Sequence, residues 1–350
     1  MKNQKETFNA AVLTKINNPL KILKLKFPKD LKKGQVLVKL KSSSICGAQA
    51  NEITGIKGPD KYLPHMMGHE GFGTVLKIGP GVKKIKKGQD VIMHWRKGNG
   101  IEAEGASYHS ERLGKINSGK VTTFSEVSIV SENRVTSIKL PKEIEKIAPC
   151  FGCSLTTAFG VVHNDCKMKI NENVIIFGTG GLGMSIAAMA RSYGVKDITF
   201  VDKKYNKFKL KFIKKLKLNK NHILSPNILF KKNLKLRYNH VIDTTGDINL
   251  ISFGFDLLKK NANLVLVGQP RVGKNLKLNN ALSFFEGKKI FASDGGNITP
   301  SSDLKKIAKH VINNFQYFKG FISHNIFLKD INKGFRLLKK GEALRVSLKF

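Results

Sequence analysis

The sequence predicts an α/β protein, with a strand-rich portion followed by a doubly wound parallel sheet. Three observations predict it. Up to about residue 150 the chain is punctuated by Gly and Pro and carries short alternating segments such as GQVLVKLKSS and VTTFSEVSIVS, which read as antiparallel strands. Beyond APCFGCSLTTAFGVV, apolar runs (NVIIFG, DITFVD, HVIDTTG, ANLVLVG) alternate with helical stretches, the pattern of βαβ units. A glycine-rich turn stands between the first two of those runs.

Composition sets the frame. A chain of 350 residues with 41% hydrophobic content can bury a large core, and its length fits two domains better than one. The opening MKNQKETFNAAVLTKINNPL has lysines but no apolar region, and no window approaches the ~20 apolar residues of a membrane span. The expectation is a soluble, cytoplasmic protein with no membrane partner. Four cysteines are too few for a disulfide framework, so each is a candidate for metal or redox chemistry or for a core thiol.

The net charge of +37 invites a nucleic-acid reading. The excess is nearly all Lys, runs from end to end and comes with many Asn and Ile, which is a compositional bias rather than a patch. In the densest run, DKKYNKFKLKFIKKLKLNK, Phe208, Phe212 and Leu216 recur at helical spacing with Ile213 beside them, so a surface helix with a solvated lysine face is expected. A basic nucleic-acid-binding protein is the distant alternative, and the charge can also steer anionic substrates and cofactors.

The parallel portion carries a more specific signal. In NVIIFGTGGLGMSIAAMARSYGVKDITFVDKK an apolar strand leads into Gly178-x-Gly180-x-x-Gly183, with Gly181 inside the turn, then a helix and a second strand ending in Asp202. That is the context a dinucleotide-binding turn requires, with glycines that let the backbone approach a pyrophosphate and an acid placed for a ribose hydroxyl. Asp202 favours NAD over NADP, because a 2′-phosphate would meet a carboxylate. Lys203 and Lys204 follow at once and keep NADP open.

The strand-rich portion contains PHMMGHEGFGTVLKIGPGV, residues 64–82, where a His-Glu pair sits beside glycines inside an apolar, strand-like run. It reads as a metal ligand presented on a turn between strands. Together with SICGAQ at 44–49, the pattern G-H-E-x-x-G-x-x-x-x-x-G-x-x-V from Gly68 to Val82, GCSLTT at 152–157 and the segment FLKDINKGFRLLKKGEALRVSLKF, this makes the chain resemble the medium-chain, zinc-type alcohol dehydrogenases over nearly its whole length.

That resemblance implies a GroES-like β-rich catalytic domain over 1–154 and 296–350, and a Rossmann doubly wound parallel-sheet domain over 155–295 that binds NAD. It implies one catalytic Zn²⁺ on Cys46, His69 and Cys153, with Glu70 behind them or as a transient ligand. Two thiolates and an imidazole suit zinc and leave a fourth position for a substrate oxygen. Around the cofactor it implies Thr157 near the nicotinamide, Lys207 near the adenosine ribose, Val267 and Gly268 along the nicotinamide side and Arg345 on the pyrophosphate. The implied reaction is hydride transfer between an alcohol or carbonyl substrate, a sugar or polyol derivative included, and NAD, in a homodimer or homotetramer.

Rival readings and departures accompany the resemblance. CFGC at 150–153 has redox spacing, but the preceding LPKEIEKIAP is polar and helical rather than a strand, so Cys150 and also Cys166 read as structural thiols. A zinc-free quinone or enoyl reductase of the same superfamily is the alternative enzyme. RKGNGIEAEGASYHSERLGKINSGKV contains no Cys, which excludes the structural zinc that many members hold on four closely spaced cysteines. The usual hydroxyl relay is replaced by Ala48, Gln49 stands where an Asp is usual, and Asn51 where a relay His would be. The proton acceptors left are Glu52, His94 or water. Trp95 reads equally as a pocket wall and as core packing.

Overall fold

A computed structural model describes residues 7–218, 223–231, 238–279 and 281–350. The first six residues of the opening segment and the last two of the lysine-rich run at 202–220 lie outside them.

The turns of the first portion connect two sheets. Thr7–Leu13, Lys21–Lys26, Ser107–Ser110, Gly114–Asn117 and His65–Met66 close into a barrel. A second sheet runs in the order Val135–Ser137, Asp90–Met93, Gly71–Ile78, Gln35–Ile45, Val346–Lys349, His324–Phe327, with Val127–Ser131 also paired to Gln35–Ile45. Alternation sets the faces of that central strand, since Val38 and Leu40 are buried while Lys39 and Lys41 are exposed. Val346 pairs with Ile45 and Ser347 with Ser44, so register alone brings Arg345 beside Cys46.

The third sheet is wholly parallel. Numbered in chain order its strands are Asn173–Phe177, Asp197–Val201, Ile223–Leu224, Tyr238–Asp243, Leu258–Leu266 and Lys289–Ala292, and they lie side by side as 3-2-1-4-5-6. Strand order reverses between the first and fourth, which opens a crevice at their carboxyl ends. The lysine-rich run forms the helix Lys207–Lys215 as its spacing requires, with Phe212 and Ile213 buried and Lys211 and Lys214 exposed.

One apolar core spans both portions. It is continuous from Phe72 and Ile92 through Cys150, Phe151 and Leu155 to Ile176 and Met184. The helix Ser154–Gly160, buried along its length, runs through this junction and begins just after Cys153.

The cysteine-free segment after Met93 is held by carboxylates. Glu102 pairs with Lys97, Lys120 and Arg134 at 3.1, 2.7 and 2.9 Å. Buried Glu132 accepts the backbone N–H groups of Lys83, Lys84 and Ile101 at 2.8 to 2.9 Å, joining two loops. Among the described residues no helix is long and apolar enough to cross a membrane.

Candidate metal and cofactor site

Three side chains from three turns converge. Cys46 directly follows the strand Gln35–Ile45, His69 lies in the turn before Gly71–Ile78, and Cys153 directly precedes the helix Ser154–Gly160. Their ligand atoms all lie within 4.8 Å of one another. The turn carrying His69 depends on Gly68, whose φ is +97° and where a Cβ would come within 2.4 Å of the Thr123 hydroxyl.

Protonation inside the cluster is uneven. The Cys153 thiol donates towards Cys46, which holds the Cys46 thiol well below its usual range against the opposing effect of burial. The same bond, with burial, pushes Cys153 well up. Burial lowers His69, but the Cys46 sulfur beside it outweighs this and raises it. The Nε2 of His69 is buried without a hydrogen-bond partner among the described residues. Two thiols and an orphaned imidazole nitrogen at this spacing fit a tetrahedral divalent ion such as zinc. Cys150 stands outside the three, and burial pushes its thiol up to about 11, so it stays protonated.

The groups behind the ligands are defined as well. The Gln49 side chain accepts from Cys46 N at 2.8 Å and meets His69 Nδ1 at 2.6 Å. Glu70, fully buried, takes the Ser44 hydroxyl at 2.6 Å and the Arg345 guanidinium on the same oxygen. Burial raises its carboxyl while Arg345 pulls it back. Arg345 also lies against the glycine turn, since a Cβ on Gly181 would be 2.8 Å from its Nη1. One guanidinium therefore links the cysteine cluster to the glycine turn.

In that turn Gly178 has φ +95°, and a Cβ on Gly183 would sit 2.0 Å from the Gly178 carbonyl oxygen. The helix Gly181–Ser192 can approach the strand this closely only with glycine there. No atom would meet a Cβ on Gly180 within 4 Å, so that position opens onto the crevice. Asp202 accepts from Thr179 N at 2.8 Å and from its hydroxyl. Val267 and Gly268 donate their N–H groups to the Asp243 carbonyl at the carboxyl end of the sheet, and Thr157 lies buried in the junction helix.

The remaining candidate residues have distinct surroundings. Lys207 is exposed, its Nζ over the Phe208 ring at 5.4 Å, and the cation against Asp202 is Lys209, at 2.9 Å and 5% exposed. Asn206 caps the helix through Phe208 N and Lys209 N, which turns position 209 back towards the strand. Buried His94 is closed to proton transfer, because Nδ1 bonds the Arg96 carbonyl at 2.8 Å and Nε2 the Thr136 hydroxyl at 2.9 Å. Burial lowers it to about 4. Glu52 faces His65 and Asp60. Trp95 packs against Gly295, where a Cβ would meet its ring at 2.6 Å, and Arg96 beside it pairs with Asp294 at 2.6 Å.

Sequence reasoning passed over Ser44, Thr179 and Lys209. Each is one or a few positions from a residue it had singled out, but its partner comes from a different strand or turn.

Comparison with known proteins agrees with this arrangement. Residues 32–142 match the family described as Alcohol dehydrogenase GroES-like domain. The S-(hydroxymethyl)glutathione dehydrogenase of Synechocystis sp. is 24% identical across 96% of this chain and 98% of its own length. Among solved structures, benzyl alcohol dehydrogenase from Acinetobacter calcoaceticus superposes with a TM-score of 0.83 at 20% identity, covering 98% of this chain and 99% of that one. Acetophenone reductase from Geotrichum candidum in complex with NAD superposes at 0.77, also 20% identical, over 99% and 98%. At such identities the superpositions speak to the fold.

Proposed function

We propose that the chain is a medium-chain dehydrogenase/reductase and, from that premise, a zinc- and NAD-dependent oxidoreductase of the alcohol dehydrogenase type, a reading supported by the GroES-like domain match over residues 32–142 and by the end-to-end likeness to S-(hydroxymethyl)glutathione dehydrogenase. Its reaction moves a hydride between a CH–OH carbon and the nicotinamide ring. The observation that carries the reading is the convergence of Cys46, His69 and Cys153 with Arg345 joining them to the glycine turn. The same convergence weighs against a zinc-free quinone or enoyl reductase.

Zinc held by these three residues supplies a Lewis acid that polarises a carbonyl or acidifies an alcohol. The chain supplies the rest. Cys46 and Cys153 give two thiolates, while Glu70 and Arg345 offset one another behind them. Gly178, Gly180, Gly181 and Gly183 admit the cofactor pyrophosphate, and Asp202 receives a ribose hydroxyl on the carboxylate oxygen that Lys209 leaves free. Thr157, Val267 and Gly268 border the nicotinamide. Ala48 and Asn51 offer no base and His94 is closed, so the substrate proton passes to Glu52 or to water. Sugar and polyol derivatives belong beside simple alcohols in the substrate screen, and a homodimer or homotetramer is the assembly proposed.

The test is Cys46→Ser assayed with NAD and an alcohol panel. Turnover should vanish while NADH still binds, as read by nicotinamide fluorescence. Turnover that survives in the variant overturns the zinc mechanism.

A further inference from the structure

We infer that Glu52, Asp60 and His65 form a second divalent-cation site, separate from the cysteine cluster. Their three ligand atoms lie within 4.8 Å of one another. His65 is 8% exposed and its Nδ1 stands 2.8 Å from the Met66 carbonyl oxygen. A carbonyl only accepts, so Nδ1 carries the proton and the lone pair of neutral His65 is on Nε2. That lone pair faces acceptors alone, with Asp60 Oδ2 at 2.8 Å and Glu52 Oε1 at 3.9 Å. A second ring proton on Nε2 or a metal cation would complete this contact, and the convergence of the Glu52 carboxylate on the same point is what points to the cation.

The ligands are also oriented from behind. Asp60 Oδ1 accepts from Tyr62 N at 2.8 Å, which aims Oδ2 at His65. A ring N–H on a backbone carbonyl and a carboxylate steadied by a backbone N–H are the supports that metal ligands characteristically have. Burial additionally pushes the Glu52 carboxyl above its usual range. With metal bonds of about 2.1 Å, the 2.8 Å between His65 and Asp60 subtends roughly 85°, an angle of octahedral rather than tetrahedral coordination. One imidazole and two carboxylates suit zinc, manganese or cobalt, without the thiolate preference of the first site. With Glu52 so engaged, water is left as the acceptor of the substrate proton.

The full-length protein is stripped by chelator, reloaded with Co²⁺ and analysed for metal and for the near-ultraviolet thiolate-to-cobalt band. Wild type should hold about two ions per chain, against about one in a protein with only the cysteine site. His65→Gln and Asp60→Asn should each lose one ion and keep the thiolate band, and Cys46→Ser should lose the band and keep the His65-dependent ion. An unchanged metal count in a folded His65→Gln or Asp60→Asn protein overturns the proposal, because a proton then fills the gap. Failure of the cysteine site alone reads differently, as a missing band with the His65-dependent ion still present.

Discussion

Gln49 and His69 meet at 2.6 Å, amide nitrogen to Nδ1, while the other end of the same amide accepts from Cys46 N at 2.8 Å. Because the backbone N–H can only donate, the amide oxygen is committed to Cys46 and its NH₂ faces His69. Nδ1 must then accept, which leaves the proton of neutral His69 on Nε2, the nitrogen a metal needs. Gln49→Glu offers acceptors to both neighbours. Zinc affinity, measured by competition with a chromophoric chelator, should rise about 10-fold. An unchanged affinity would remove Gln49 from the control of His69.

His94 makes stability depend on pH. Its unfolded value is about 6.5 and burial lowers the folded one to about 4. The unfolded chain binds more protons between those values, so stability is full above the upper one and lost as pH falls through the window. Between pH 7 and 5 the loss should be about 2 kcal/mol by denaturant titration, and His94→Gln should lack that component. Equal slopes in the two proteins would contradict a buried, neutral imidazole.

Arg345 is 2% exposed and pairs with fully buried Glu70. Arg345→Met leaves that carboxylate without its cation and should cost about 3–5 kcal/mol in unfolding free energy. Adding Glu70→Gln should recover part of the loss. A double variant no more stable than the single one would mean that the arginine acts through packing alone.

Asp202 should decide between the cofactors. Titration of nicotinamide fluorescence should give tighter binding of NADH than of NADPH, and Asp202→Ser should narrow that ratio by about 10-fold, or ~1.4 kcal/mol. A ratio insensitive to the substitution would assign the choice to Lys203, Lys204 or Lys209 instead.

Much of the parallel sheet was legible because its signals are local. A strand, a glycine turn and a helix follow one another within NVIIFGTGGLGMSIAAMA, and the packing obeys that order. The approach of Cys46, His69 and Cys153 was legible only as three separate turn motifs. Contacts made by long side chains were not. Lys207 and Lys209 lie about 200° apart around a helix, and the Asn206 cap, rather than any property of lysine, decides which one meets Asp202. The grouping of Glu102 with Lys97, Lys120 and Arg134 likewise depends on how loops return across the sheet, and nothing in their spacing announces it.

The pairing of Val346–Lys349 with Ser42–Ile45 joins segments about 300 residues apart. During synthesis the strand bearing Cys46 therefore waits with an unsatisfied edge until that distant segment leaves the ribosome. Until then Glu70 has no cation, the cysteine cluster has no arginine behind it, and the open edge can pair with another nascent chain. A polypeptide stalled before Arg345 would therefore present the thiols of Cys46 and Cys153 beside an open strand edge, in an aggregation-prone form.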